Sequence, residues 1–151
     1  MADVVDAATR SRFMSGIRGK NTRPEILIRS LLHGMGFRYR LHVGSLPGKP
    51  DVVLPRYRAV IFIHGCFWHG HDCHLYRVPG TRQDFWLNKV RCNQKNDKVV
   101  EAALTEGQWR IAVVWECALR GRGRLNPEIV AQSLKRWLKG KRTALTLRGT
   151  G

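Results

Sequence analysis

The chain has 151 residues, 43% hydrophobic and 25% charged, enough for one globular domain with a sizeable core and too few for two comfortable ones. Lys and Arg number 27 against 11 acids, a net charge of +16; each cation set against a phosphate releases condensed counterions, so nucleic acid is the expected partner and a basic face is expected. No apolar run approaches the roughly 20 residues that span a bilayer, there is no basic amphipathic helix to lie on one, and MADVVDAATRSR has no apolar core of a secretory signal, so a cytosolic location is expected.

Residues 1–20 are polar and basic, with Phe13, Met14 and Ile17 as the apolar anchors of TRSRFMSGIRGK. They read as an N-terminal DNA-contacting arm or a short helix. Helix punctuation follows: Thr22 can cap, Pro24 suits the first turn, and Glu25, three residues after Thr22, completes a capping box. Ile28, Leu31, Leu32 and Met35 supply the apolar stripe, and Gly34 or Gly36 the end. In FRYRLHV, Phe37, Tyr39, Leu41 and Val43 alternate with Arg38, Arg40 and His42, which predicts a half-buried strand with a basic outer face. PDVVL and AVIFI (Ala59–Ile63) read as second and third strands, the latter apolar on both faces. RQDFWLNKVRCNQKNDKVVEAALTEG predicts one long helix, with Asp84 as cap and Gly107 as terminator. WRIAVVW predicts a fourth strand, and a last helix starts at Asn126-Pro127-Glu128 and runs through Ile129, Leu134 and Trp137. The basic, glycine-containing residues 141–151 are expected to be a flexible tail. The order helix, three strands, helix, strand, helix predicts one α/β domain over 21–140, a mixed sheet flanked by helices.

The third strand runs into HGCFWHGHDC, His64 to Cys73. In a cytosolic chain, cysteines mixed with histidines are more often metal ligands than disulfides. A structural zinc ion takes four soft or borderline ligands in a tetrahedron, and Cys66, His71, Cys73 and Cys117 are the expected set, with His69 and His74 chemically eligible. Cys92, in mid-helix, is expected to be a small core residue. The alternative is a pair of buried thiols with unrelated surface histidines. Asp51 begins one strand, and Ile63 ends its neighbour. A carboxylate, a strand-end carbonyl and the imidazoles of His64 and His69 suit Mg²⁺-assisted phosphodiester hydrolysis, although an aspartate after proline is also a common turn residue. Phe67, Trp68 and Trp86 are candidates for stacking between bases, against the ordinary expectation that aromatics belong to a core. Trp109, Trp115 and Trp137 are read as core.

TRSRFMSGIRGKNTRPE, SLPGKPDVVLPRYRAVIFIHGCFWHGHDC, TRQDFWLNKVRCNQKND and VVWECALRG together resemble the very-short-patch repair (Vsr) mismatch endonucleases of bacteria, in order and spacing, to about residue 140. The resemblance implies a restriction-endonuclease-like fold with a structural Zn²⁺ site. It implies an Mg²⁺-dependent nick in double-stranded DNA 5′ to the thymine of a T·G mismatch, of the kind left by deamination of 5-methylcytosine. By position, Asp51 and the main-chain carbonyl of Ile63 would hold Mg²⁺, His69 would be the general base, and His64 would act at the phosphate or leaving group. Cys66, His71, Cys73 and Cys117 would hold Zn²⁺, while Phe67, Trp68 and Trp86 would intercalate. Glu25 lies where nucleases of the wider fold often place an acid near the metal, and helix capping is the equally simple role. Position 63 is Ile where family members often carry Thr, which keeps a carbonyl and removes a hydroxyl. A functional link to a cytosine-5 DNA methyltransferase, a monomeric state and a bacterial, nucleoid-associated cytoplasmic location are further implications; contact with other mismatch-repair proteins is left open. The alternatives are a non-catalytic zinc-containing module that recognises distorted duplexes, and a zinc hydrolase acting on small substrates through His64 and His69, which the charge disfavours.

Overall fold

The computed structural model describes residues 22–150; the expected arm, residues 1–20, lies outside them. Helix α1, Arg23–Gly34, starts where Thr22 Oγ1 accepts a hydrogen bond from the Glu25 N–H at 3.4 Å, with Pro24 in the first turn. Its stripe buries Ile28 and Leu32 completely, each worth roughly 1.5–3 kcal/mol of apolar burial.

Strands β1 (Arg40–Leu41), β2 (Val52–Leu54) and β3 (Ala59–His64) form an antiparallel meander. The long helix α2, Gln83–Glu106, then carries the chain back so that β4, Arg110–Trp115, lies parallel to β3. A single turn, α3 (Glu116–Leu119), and helix α4 (Pro127–Lys139) lead to a fifth strand, β5 (Ala144–Leu147), parallel to β4. The sheet order is β1-β2-β3-β4-β5, mixed and flanked by helices as expected. Successive side chains of a strand face opposite ways, which explains why the apolar runs are unbroken. Val52, Leu54, Ala59 and Ile61 join α1 and α4 in one core, and Val53, Val60 and Ile111 meet Leu104 of α2 in another.

Several expectations are corrected. The first strand is two residues long, because the chain turns at His42 (φ 48°) instead of continuing to Val43. Asp84 does not cap α2: the N-cap is Arg82, without a side-chain cap, and Asp84 sits in the first turn, where its charge faces the helix dipole favourably. Cys92 is exposed rather than core. Trp137 is buried and Trp109, partly buried, packs against the second core, whereas Trp115 is partly buried and stacks on His71 instead. Within the expected tail, the described residues are not free: Ala144–Leu147 pairs with β4, and Leu147, 8% exposed, packs into the α1–α4 core. Arg110 reinforces that edge by donating to the Leu138, Trp137 and Gly140 carbonyls at the end of α4 and to Arg142 O. No helix among the described residues is long and apolar enough to cross a membrane.

Leu147→Ala is expected to lower the unfolding free energy by about 2–4 kcal/mol in urea titrations; a tail residue would leave it unchanged.

Candidate functional site

In the β3–β4 register His64 pairs with Trp115, so Cys66 and Cys117, each two residues further on, leave the sheet side by side. The Cys117 N–H donates to Cys66 Sγ at 3.3 Å. The chain from Gly65 then folds back on itself, with the His69 N–H bonded to Gly65 O and the His71 N–H to Cys66 O. Gly70, at φ 64°, makes the reversal that an L side chain would resist. His71 Nδ1 thereby reaches 3.6 Å from Cys66 Sγ and 3.5 Å from Cys117 Sγ. Together with Cys73, the four ligand atoms lie within 4.8 Å of one another. Burial pushes the Cys66 and Cys117 thiols up, and burial followed by the Arg148 charge pushes His71 down. Two buried sulfurs, a third half-buried one and an imidazole could hold a metal ion, and their chemistry suits a closed tetrahedral site for a soft or borderline cation. An outer layer supports it. Asp72 Oδ1 lies 3.7 Å from His71 Nε2 and is held by Arg148 at 2.9 Å, and the Gly149 N–H donates to Cys117 Sγ at 3.3 Å. The segment after β5 therefore reaches the cluster.

The second group lies on the α2 side of the sheet. The rings of His64 and His69 stack at 3.9 Å and 8°, and His69 Nδ1 meets Asp97 Oδ2 at 2.5 Å. Burial first, and then the neighbouring His69, lowers His64 to about 3, against the opposing pull of Asp97. His64 is therefore neutral at physiological pH, and its Nδ1 finds no hydrogen-bond partner among the described residues.

The third group lies one residue back along β3. The Ile63 N–H donates to Asp51 Oδ2 at 2.8 Å, and in an extended strand the carbonyl of the same residue points the same way. Glu25, 3% exposed, meets His42 Nε2 through Oε1 at 3.4 Å and Arg29 through Oε2 at 3.2 Å. Burial, followed by a hydrogen bond with Glu25, raises the Asp51 carboxyl to about 8, against the lowering effect of the Ile63 N–H. The nearby Arg29 guanidinium and the Ile63 N–H work in the opposite direction on Asp51 and do not cancel that rise. The sequence suggested that Asp51, His64 and His69 meet at one point. In the structure they form two clusters, Glu25–His42–Asp51 and His64–His69–Asp97, joined through the adjacent residues Ile63 and His64.

Phe67, Trp68 and Trp86 are brought together, with centroid separations of 5.1–5.9 Å and edge-to-face packing. All three are half-buried, and Phe85 beside them is exposed. The backbone beneath is fixed by α2: Asn93 donates to Trp68 O at 2.7 Å and Gln94 to His69 O at 3.1 Å.

Asp97, Asn93, His42 and Glu116, whose Oε1 accepts from the Cys66 N–H at 3.2 Å, were not singled out from sequence. Asn93 and Asp97 carry a readable signal, because they lie on the helical stripe Trp86, Val90, Asn93, Asp97, Val100, Leu104, which faces the sheet and loop. Polar residues on an inward stripe need partners. His42 carries the opposite signal, since strand alternation sends it outward.

The family described as DNA mismatch endonuclease Vsr matches residues 2–75. Over 141 residues the chain is 48% identical to the DNA mismatch endonuclease Vsr of Escherichia coli, covering 93% of this chain and 90% of that protein. The chain belongs to the DNA mismatch endonuclease Vsr family. It is also 47% identical to the type II nicking enzyme V.XorIIP of Xanthomonas oryzae pv. oryzae, over 85% of this chain and 95% of that one. To V.NmeAIP of Neisseria meningitidis it is 43% identical, over 81% and 87%. The family is one of DNA endonucleases.

The raised Asp51 carboxyl has a consequence for stability. Without a bound metal ion, the folded chain keeps this proton up to about pH 8, whereas the unfolded chain releases it near 3.8. Its contribution is therefore complete below 3.8 and lost as pH rises through about 8. Denaturant unfolding in magnesium-free buffer should show Asp51→Asn losing less stability than the wild type across that window, and parallel pH profiles would contradict the assignment.

Proposed function

We propose that this chain nicks double-stranded DNA 5′ to the thymine of T·G mismatches, the lesion left when 5-methylcytosine deaminates within the recognition sequence of a cytosine-5 DNA methyltransferase. The observation that carries the reading is the adjacency of Trp68 and His69. The first belongs to an aromatic cluster of a size to enter a base step, and the second is an imidazole gripped by a carboxylate. Both are held on one loop by α2 and the cysteine–histidine cluster. The relatives, a mismatch endonuclease and nicking enzymes, support the same reading.

Cys66, His71, Cys73 and Cys117 would hold structural Zn²⁺, and Asp51 with the Ile63 carbonyl would hold Mg²⁺, near Glu25. When bound, Mg²⁺ supplies charge neutralisation at the scissile phosphate and a more acidic water. The rest is done by the chain's own groups. With Nδ1 committed to Asp97, His69 presents its other nitrogen to a water as general base, and Asp97 stabilises the imidazolium that forms, as the acid of a catalytic triad does. His64, stacked on His69, acts at the phosphate or the leaving group. Phe67, Trp68 and Trp86 enter the stack beside the mismatch, where a T·G pair is cheaper to open than a Watson–Crick pair. The basic surface supplies sequence-independent affinity. The chain acts as a monomer in the bacterial cytoplasm at the nucleoid, functionally linked to the methyltransferase, with other mismatch-repair proteins as potential partners.

A non-catalytic module that only recognises distorted duplexes would use the aromatics and the charge but not the His69–Asp97 pair. Cleavage of duplexes differing only in T·G, C·G or T·A at one position, with Mg²⁺ or with EDTA, separates the readings. Nicking is expected for T·G with Mg²⁺ alone. Asp51→Ala should keep binding and lose nicking, and Trp68→Ala should lose about 10-fold or more of its mismatch preference, the scale of one stacked base. Absence of nicking by the wild type, or mismatch preference unchanged in Trp68→Ala, would contradict the account.

A further inference from the structure

His42 is turned into the site at a residue where the sequence pattern points it out. Its backbone takes the left-handed conformation, φ 48°, and its N–H donates to Asp51 O at 3.3 Å. The ring, 15% exposed, is thereby carried to Glu25 Oε1, 3.4 Å from Nε2. One ligand atom from each of Glu25, His42 and Asp51 lies within 4.8 Å of the others. Arg29 holds Glu25 Oε2, which orients Oε1 toward the ring.

Mg²⁺ is a hard ion that prefers oxygen donors and keeps several waters. A nitrogen donor beside two carboxylates adds little for Mg²⁺ and more for first-row transition dications, whose affinity rises along the series from Mn²⁺ to Cu²⁺. We propose that His42 is a ligand of the catalytic dication, and that with Glu25 and Asp51 it makes a two-carboxylate, one-imidazole site favouring transition dications over Mg²⁺. The inference rests on the reading that Asp51 binds the catalytic cation, and it adds a ligand that this reading does not contain. The plain alternative is that His42 only pairs with Glu25 and never touches a metal.

Mn²⁺ distinguishes the two, because an imidazole nitrogen bound directly to Mn²⁺ modulates its electron-spin echo and a merely neighbouring one does not in the same way. The full-length zinc-loaded protein is titrated with Mn²⁺ and separately with Mg²⁺, and pulsed EPR is recorded on the Mn²⁺ form. Expected are Mn²⁺ binding about 10-fold or more tighter than Mg²⁺, and a directly coordinated ¹⁴N signal. His42→Asn tolerates the left-handed backbone. It should remove the signal and weaken Mn²⁺ binding by about 10-fold or more, the scale seen when metal-site partners are lost, while Mg²⁺ binding changes less. His42→Gln, with its fold checked by circular dichroism, gives a second replacement. Mn²⁺ bound without ¹⁴N coupling, or coupling that survives both His42 variants and disappears in His69→Ala, would overturn the proposal while leaving the functional reading in place. Binding of both ions unaffected by Asp51→Ala would overturn the functional reading, and the proposal with it.

Discussion

Four ligand atoms from two neighbouring strand ends meet beyond the sheet, and the rest of the site depends on that meeting. The parallel register that pairs His64 with Trp115 puts Cys66 and Cys117 in contact, and the turn through Gly70 returns His71 and Cys73 to them. Without a cation Cys66 and Cys117 are buried thiols, raised by burial and held only by weak sulfur contacts. A structural zinc ion there, whose binding is worth about 10–16 kcal/mol in small zinc domains, would tie the loop to the two strand ends. A comparison with the roughly 5–15 kcal/mol stability of an ordinary domain shows why the metal would dominate local order.

Helix α2 is the second support. Its inward stripe is apolar at Val90, Val100 and Leu104, where it covers the sheet, and polar at Asn93 and Asp97, where it meets the loop. The loop is thereby clamped from opposite sides, at Trp68 and His69 by the helix and at Cys66 and His71 by the cluster. The strand end divides the chemistry between its two faces. Ile63 addresses Asp51 and the carboxylates, and His64 addresses His69 and Asp97. A phosphate seated over the end of β3 would meet both.

Much of this was legible in the sequence because the relevant signals are local. Cap residues and apolar runs marked the helices and the central strands, and the density of cysteine and histidine after the third strand marked Cys66, His71 and Cys73 as a cluster, since each follows from chemistry within a few residues; Cys117 joins them only through the β3–β4 pairing. What escaped depends on distant segments. The fifth strand is short and mostly exposed at Ala144 and Thr146, so only its pairing with β4 distinguishes it from a tail. His42 was misread because alternation assumes that a strand continues, and here the chain leaves the strand at that residue. Asp97 is one of four acids on a long charged helix, recognisable only once the inward stripe is traced. The separation of Asp51 from the imidazoles follows from which face each side chain takes at the strand end, which spacing along the chain does not specify.

The most direct test of the central claim is to measure zinc content, near-ultraviolet circular dichroism and T·G nicking together in the wild type and in Cys66→Ser. The account predicts one zinc per chain in the wild type, and in the variant the joint loss of zinc, of the aromatic signal from the Phe67–Trp68–Trp86 cluster and of nicking. A zinc-free Cys66→Ser protein that keeps its aromatic signal and nicks at the wild-type rate would contradict it.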